Sequence, residues 1–266
     1  NDFAVLKERF YSVSLIITAL RRENCEAKMG SEIIKALTFD TGGTILDWHT
    51  GFSKILKNIG EKYGVDKNWA DIANQLRKRS LEKIINLGEF EPPTINFDDA
   101  HALVLDELCQ ENGLDMFSSE DRRKIAWEAP HSFDTWDDFP TSLSRLKQKY
   151  LCCSFTILSF RIIIDTARKN QISWDAVFSC EAIGKYKTLS APYETVAKWL
   201  NLRPDEICMV ACHNFDLDAA KKVGFKTAFV RRPNEWGVAG PPDPTPNPNH
   251  DIIVDTFPQL AEKLGV

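Results

Sequence analysis

The chain has no apolar run near the ~20 consecutive residues that a membrane-crossing helix requires. Its opening stretch, Asn1 to Met29, lacks the layout of a signal peptide, the apolar patch Val13 to Leu20 being set among charges. Basic charge is not in excess either: Lys and Arg number 33 against 38 for Asp and Glu, the net charge is -5, and no basic run occurs. Counterion release from nucleic acid therefore has no source, and nucleic-acid binding is set aside. Cys-x-x-Cys pairs are missing as well. The 7 cysteines stand singly or as the neighbours Cys152 and Cys153, and an odd, scattered set argues against a disulfide framework. They read as small buried hydrophobes of a soluble protein in a reducing, cytoplasmic setting. There is no internal repeat and no low-complexity tract.

What is present is a globular composition, 43% hydrophobic and 27% charged over 266 residues, enough for one large core or a core with a second smaller module. Short apolar runs at Ile33 to Phe39, Ser154 to Leu158, Ala176 to Phe178, Ile207 to Ala211 and Thr227 to Val230 have strand length. Amphipathic segments at Ile162 to Asn170, Ala191 to Leu200 and Leu217 to Val223 alternate with them. That alternation predicts an α/β fold, a parallel sheet flanked by helices on both faces, whose ligands gather at the carboxyl ends of the strands.

From about Gly51 to Trp127 the alternation stops and helical periodicity takes over, with Glu91-Pro92-Pro93 as a connecting loop between helix pairs. The expected organisation is a core domain of residues 34–50 and 129–266, with an inserted helical cap at 51–128. The sheet is expected to resume near Thr141, the five prolines between Gly240 and Asn249 predict an irregular loop, and Phe257 to Leu264 a last helix. Met29 stands just before the first strand, so residues 1–33 are either an upstream extension or native structure.

Asp40 ends the first strand and is followed by Thr41-Gly42-Gly43-Thr44, which places a carboxylate beside a turn of backbone N–H groups. A single Asp there could equally cap the next helix. Order along the chain is what decides: Ser159 closes the second strand, Lys187 follows the third in Gly184-Lys185-Tyr186-Lys187, and Asp216 follows the fourth. All four reach one edge of a parallel sheet.

This ordered set resembles the four motifs of the haloacid dehalogenase superfamily. Ala36 to Asp40 with Asp47-Trp48, Met209 to Leu217, and Arg232-Pro233-Asn234-Glu235-Trp236-Gly237 are similar to its type II 2-haloacid dehalogenase branch, over about Ile34 to Leu264. The resemblance implies a Rossmann-like core with a helical cap, a hydrolase without cofactor, a small 2-haloacid as substrate, and on family grounds a homodimer. The implied chemistry is displacement of halide by Asp40 and hydrolysis of the resulting ester to a 2-hydroxy acid. Lys187 would be the counter-charge, a pair at ~4 Å and an effective dielectric near 20 being worth roughly 4 kcal/mol. Thr44 and Ser159 would supply hydroxyl donors, and Asp216 would orient Lys187 and position water. Arg77 is similar to the family arginine that receives halide, a task suited to a permanent cation with several donors. Thr41, Gly42, Phe160, Tyr193, His213 and Asn214 complete the expected substrate surroundings.

Some positions depart from the pattern. Magnesium-dependent phosphatases of the superfamily carry an Asp where Gly42 stands and an acidic metal ligand where Cys212 stands; magnesium wants hard oxygens, so metal-free chemistry is favoured and magnesium belongs only to the phosphatase alternative. Many dehalogenases have an aromatic residue at the position of Gly42 and an Asn at that of Phe160, and the common Pro after Lys187 is Thr188. A catalytically weak relative that binds a small acid or a protein is the third reading.

Overall fold

The computed structural model describes residues 34–238 and 240–266, so the expected extension at 1–33 lies outside the described residues. Strands β1 (Ala36–Phe39), β2 (Leu151–Thr156), β3 (Ala176–Ser179), β4 (Ile207–Ala211), β5 (Lys226–Val230) and β6 (Ile252–Val254) form one sheet, with spatial order β3-β2-β1-β4-β5-β6. Every pairing is parallel. The central β1 and β4 are buried along their whole length, as expected of a sheet covered on both faces. From β1 the chain builds outward through β2 and β3, then crosses back to place β4 on the other side of β1. The crevice at the carboxyl end of β1 is therefore the point where strand order reverses, the place at which sheets of this kind bind ligands.

Between β1 and β2 the chain is helical: α1 (Trp48–Lys62), α2 (Trp69–Ile84), α3 (Phe97–Glu111) and α4 (Ser119–Arg123), which runs on into a π-helical stretch, Lys124–Glu128. Local capping explains the starts. Asp47 and Asn68 accept from the N–H groups of Thr50 and Asp71, while Asn96 with Asp99 and Ser118 with Asp121 form capping boxes.

Helices α5 (Phe139–Leu146), α6 (Phe160–Lys169), α7 (Cys180–Ile183), α8 (Ser190–Leu200), α9 (Asn214–Val223) and α10 (Phe257–Lys263) complete the fold. Phe39, Phe139, Trp174 and Phe257 make an aromatic cluster that seats α5 and α10 on the sheet, with ring centroids 4.8 to 6.2 Å apart. Several expectations need correction. The sheet does not resume near Thr141, where a helix with Pro140 in its first turn stands instead; β2 begins at Leu151 and ends at Thr156, short of Leu158; and β6 was not foreseen. The helix that opens the insertion starts at Trp48, ahead of Gly51. The proline-rich segment is irregular, as expected.

Candidate active site

Asp40 is the first residue beyond β1, its N–H still bonded to the carbonyl of Val210 at 2.9 Å, so β4 fixes the direction of its side chain. The two carboxylate oxygens are held differently. Oδ2 accepts from the Thr44 hydroxyl at 2.8 Å and lies 3.2 Å from Nδ1 of His213; Oδ1 faces Nζ of Lys187 at 3.3 Å. Thr44 Oγ1 itself accepts from the N–H of Cys212 at 3.0 Å, which turns its proton toward Asp40.

Lys187 is buried. Its Nζ donates to Oδ2 of Asp216 at 2.6 Å and to the Phe155 carbonyl at 2.8 Å, and lies 4.6 Å from the centre of the Phe155 ring. Tyr193 donates to Oδ1 of Asp216 at 2.6 Å. Burial alone would raise the pKa of Asp40, but Lys187, His213 and Thr44 outweigh it and hold the carboxyl well below the usual range. Burial opposes the charge on Lys187 too, yet Asp216 and Asp40 push its pKa up. Asp216, buried beside a second carboxylate, moves up despite Lys187. Asp40 is thus the more acidic of the two carboxyls.

His213 is shared between two acids. Its Nε2 lies 3.0 and 3.2 Å from the two oxygens of Glu235 and 3.4 Å from the Cys212 sulfur. Glu235 is buried, accepts from Trp48 Nε1 at 3.2 Å, and passes so close to Gly43 (φ 94°) that a side chain there would run into its carboxylate. Burial works against a charged His213, while Cys212, Glu235 and Asp40 raise its pKa well above the ordinary value. Burial also lifts the Cys212 thiol to about 11, so it is neutral near pH 7 and the two carboxylates keep His213 protonated. Glu235 was quoted in the sequence as part of the run Arg232 to Gly237, but no signal there singled it out as a partner of His213.

Arg77 descends from α2 and is buried, donating from Nη2 to the Gly42 carbonyl at 3.0 Å, with its guanidinium 5.7 Å from the Trp48 ring and 5.4 Å from that of Phe97. A Cβ at position 42 would stand 2.8 Å from that nitrogen, so the missing side chain of Gly42 makes room for the cation. Among the described residues, Nε of Arg77 has no hydrogen-bond partner, nor has Nδ1 of the nearby buried His101, whose pKa burial drives down to about 3.

Five expected residues make other contacts. Ser159 caps α6, accepting from the Ile162 N–H at 3.2 Å, and lies beside Asp98 rather than bonding Asp40. Phe160 opens that helix and gives its N–H to Glu181 at 2.9 Å. Asn214 is turned to the proline-rich loop, donating to the Thr245 carbonyl at 2.8 Å and accepting from the Asn247 N–H at 2.9 Å. Tyr193 meets Asp216, not an open pocket, and Thr41 ties the end of β1 to Thr156 at 2.7 Å.

Among the described residues, one group of metal-ligating side chains lies together: Cys212, His213 and Glu235, with ligand atoms within 4.8 Å. A thiol, an imidazole and one carboxylate do not suit magnesium, and the position between Asp40 and Asp216 is taken by the Lys187 ammonium. The residues present do not fit that ion. No helix among the described residues is long and apolar enough to cross a membrane.

No family model matches the chain. It is 25% identical over 244 residues to the (S)-2-haloacid dehalogenase 1 of Pseudomonas sp. (strain CBS-3), a similarity that covers 87% of this chain and 98% of that protein. A crystal structure of a defluorinating L-2-haloacid dehalogenase superposes with a TM-score of 0.80 at 28% identity, over 88% of this chain and 96% of the other. Another L-2-haloacid dehalogenase, at 24% identity, shares the fold with a TM-score of 0.80 over 87% and 100% of the two chains. A parallel six-stranded sheet, an acid at the tip of its central strand, and similarity along nearly the whole length of these enzymes make the chain a haloacid dehalogenase-like hydrolase, similar to the type II 2-haloacid dehalogenase branch.

Proposed function

We propose that the chain converts small 2-haloacids into 2-hydroxy acids through an ester formed on Asp40, without a metal ion. The observation that carries this reading is the poverty of oxygen ligands beside Asp40 and Asp216, where Gly42 and the buried Cys212 thiol stand in place of further acids and the Lys187 ammonium is the cation that pairs with both carboxylates. An ionised, desolvated carboxylate is a competent nucleophile toward carbon, and attack on C2 expels halide with its bonding pair. Arg77 reaches the same pocket from the inserted helices with an unpartnered Nε, and suits either the departing halide or the substrate carboxylate. The helices after β1 then act as a cap over the strand tips. Water next attacks Cγ of Asp40: Asp216 takes its proton, Lys187 protonates the departing oxygen, and the adjacent Asp216 restores the ammonium.

Halide release from 2-chloropropionate and haloacetates, measured with EDTA and with added magnesium, tests the reading. EDTA-insensitive release, lost in Asp40→Asn and accompanied by an ester mass on the Asp40 peptide, is the expected result. Magnesium-dependent phosphate release from a generic monoester without halide release would overturn it in favour of a phosphatase, and neither activity would point to a small-acid binding protein.

A further inference from the structure

We infer that His213, held by Glu235, is a catalytic residue of the second half-reaction, forming with Thr44 the pair of donors that receives negative charge on Oδ2 of Asp40. The inference rests on the ester chemistry proposed above and assigns a role to each carboxylate oxygen. Oδ2 is engaged by two donors, Thr44 at 2.8 Å and His213 at 3.2 Å, whereas among the described residues Oδ1 meets one, Lys187 at 3.3 Å. Attack through Oδ2 would strip a hydroxyl and an imidazole N–H of their acceptor inside a buried site. Attack through Oδ1 leaves both in place. Oδ1 therefore forms the bond to C2, and Oδ2 becomes the carbonyl oxygen of the ester.

Hydrolysis then runs through a tetrahedral adduct. The oxygen of water bonds to Cγ as Asp216 takes one of its protons, and the π pair of the carbonyl moves onto Oδ2; that pair then returns to re-form the carbonyl as the Cγ–Oδ1 bond breaks, Oδ1 leaves with the product and a proton from Lys187, and Asp40 re-ionises by losing the second water proton. Donors aimed at the oxygen on which charge develops are the largest single contribution in reactions of this class, and Thr44 and His213 already point at it. Thr44 is locked in that direction by the Cys212 N–H.

Glu235 has a defined part. While Asp40 is ionised, His213 lies between two carboxylates; once Asp40 is esterified, one of those charges is gone. Glu235, buried and bonded also to Trp48, is then the remaining anion on the imidazolium and keeps its Nδ1 proton available to Oδ2. The other groups around the ring are the neutral Cys212 thiol and the Phe215 ring, 5.2 Å away between centroids. Glu235 is a positioning residue, His213 a catalytic one.

The decisive experiment follows halide by stopped flow and the ester on the Asp40 peptide by rapid-quench mass spectrometry, for the full chain and for His213→Gln and Glu235→Gln. In His213→Gln the first equivalent of halide should appear at close to the native rate while steady turnover falls by about 10²- to 10³-fold, so that ester accumulates to near one per chain. Glu235→Gln should show the same pattern in weaker form, and serves alone if His213→Gln does not fold. An equally slowed first equivalent without ester build-up, or unchanged turnover, overturns the assignment but leaves the dehalogenase reading standing. Absence of halide from the native chain overturns both.

Discussion

The ammonium of Lys187 stands nearer to Asp216, at 2.6 Å, than to Asp40, at 3.3 Å. The tighter partner anchors the cation, and the looser one keeps an oxygen free to react. Because all three groups are buried, removing the cation leaves two carboxylates facing each other in a low-dielectric site. Lys187→Met should cost about 3–5 kcal/mol of stability in addition to activity. Adding Asp216→Asn should recover part of that loss, since Tyr193 can still donate to the amide oxygen. Urea denaturation of both variants is the check, and a double variant no more stable than Lys187→Met would contradict this charge balance.

Gly42 and Arg77 are matched by size. A methyl group at Gly42 would lie 2.8 Å from Nη2 of Arg77, and the backbone there is not in the left-handed region, so the substitution acts on the guanidinium and not on the fold. Gly42→Ala should therefore lower kcat/KM by roughly 10²-fold, the order expected when a positioning cation shifts by about an ångström, with little change in melting temperature. Gly43→Ala differs, since its φ is 94° and the added carbon meets the Glu235 carboxylate; it should lose both stability and turnover. Equal effects of the two changes on melting would contradict the distinction.

These positions also mark how far the sequence could be read. A parallel sheet delivers every strand's carboxyl end to one edge, so Asp40, Lys187 and Asp216 were legible from order alone. Ser159 was read from the same rule and proved to be a helix cap, because a hydroxyl just beyond a strand serves either purpose and only the path of the next turn decides. Glu235 was not legible: its approach to His213 depends on the path of the loop after β5 against a left-handed glycine far away in sequence. β6 escaped notice because it is three residues long at the sheet edge, and α5 because Pro140 in its first turn looks like a breaker.

His131 joins α3 to α6. Its Nε2 lies 3.1 Å from Asp98 on α3 and its Nδ1 2.8 Å from Asp165 on α6, and its ring stacks on Trp127. Burial opposes its charge, but the two acids raise its pKa above 6.5, while His131 helps to lower theirs below 3.8. A raised histidine adds stability that is complete below 6.5 and disappears as pH climbs through the folded value; the lowered acids add stability that is lost as pH falls through theirs. Melting curves of the native chain and His131→Gln should differ most between those limits and converge at alkaline pH. A difference that grows with alkalinity would rule out the charged bridge.

Close to Asp40 lies the sulfur of Cys212, 3.4 Å from the Thr44 hydroxyl, which as a thiolate is a stronger nucleophile than a carboxylate. A thiolate there would compete for the same electrophilic carbon. Burial prevents this: the Cys212 pKa rises to about 11 and those of Cys152, Cys153 and Cys180 to about 12, leaving roughly one thiol in 10⁴ ionised at Cys212 near neutrality. In the folded chain, iodoacetamide should therefore leave the peptides bearing these four cysteines unlabelled, and urea should expose all of them. The reagent must be the amide, since iodoacetate is itself a 2-haloacid and on the proposed chemistry is a substrate. Rapid labelling of Cys212 in the native chain at neutral pH would mean that the thiol is ionised, and that Asp40 is not alone in facing the substrate.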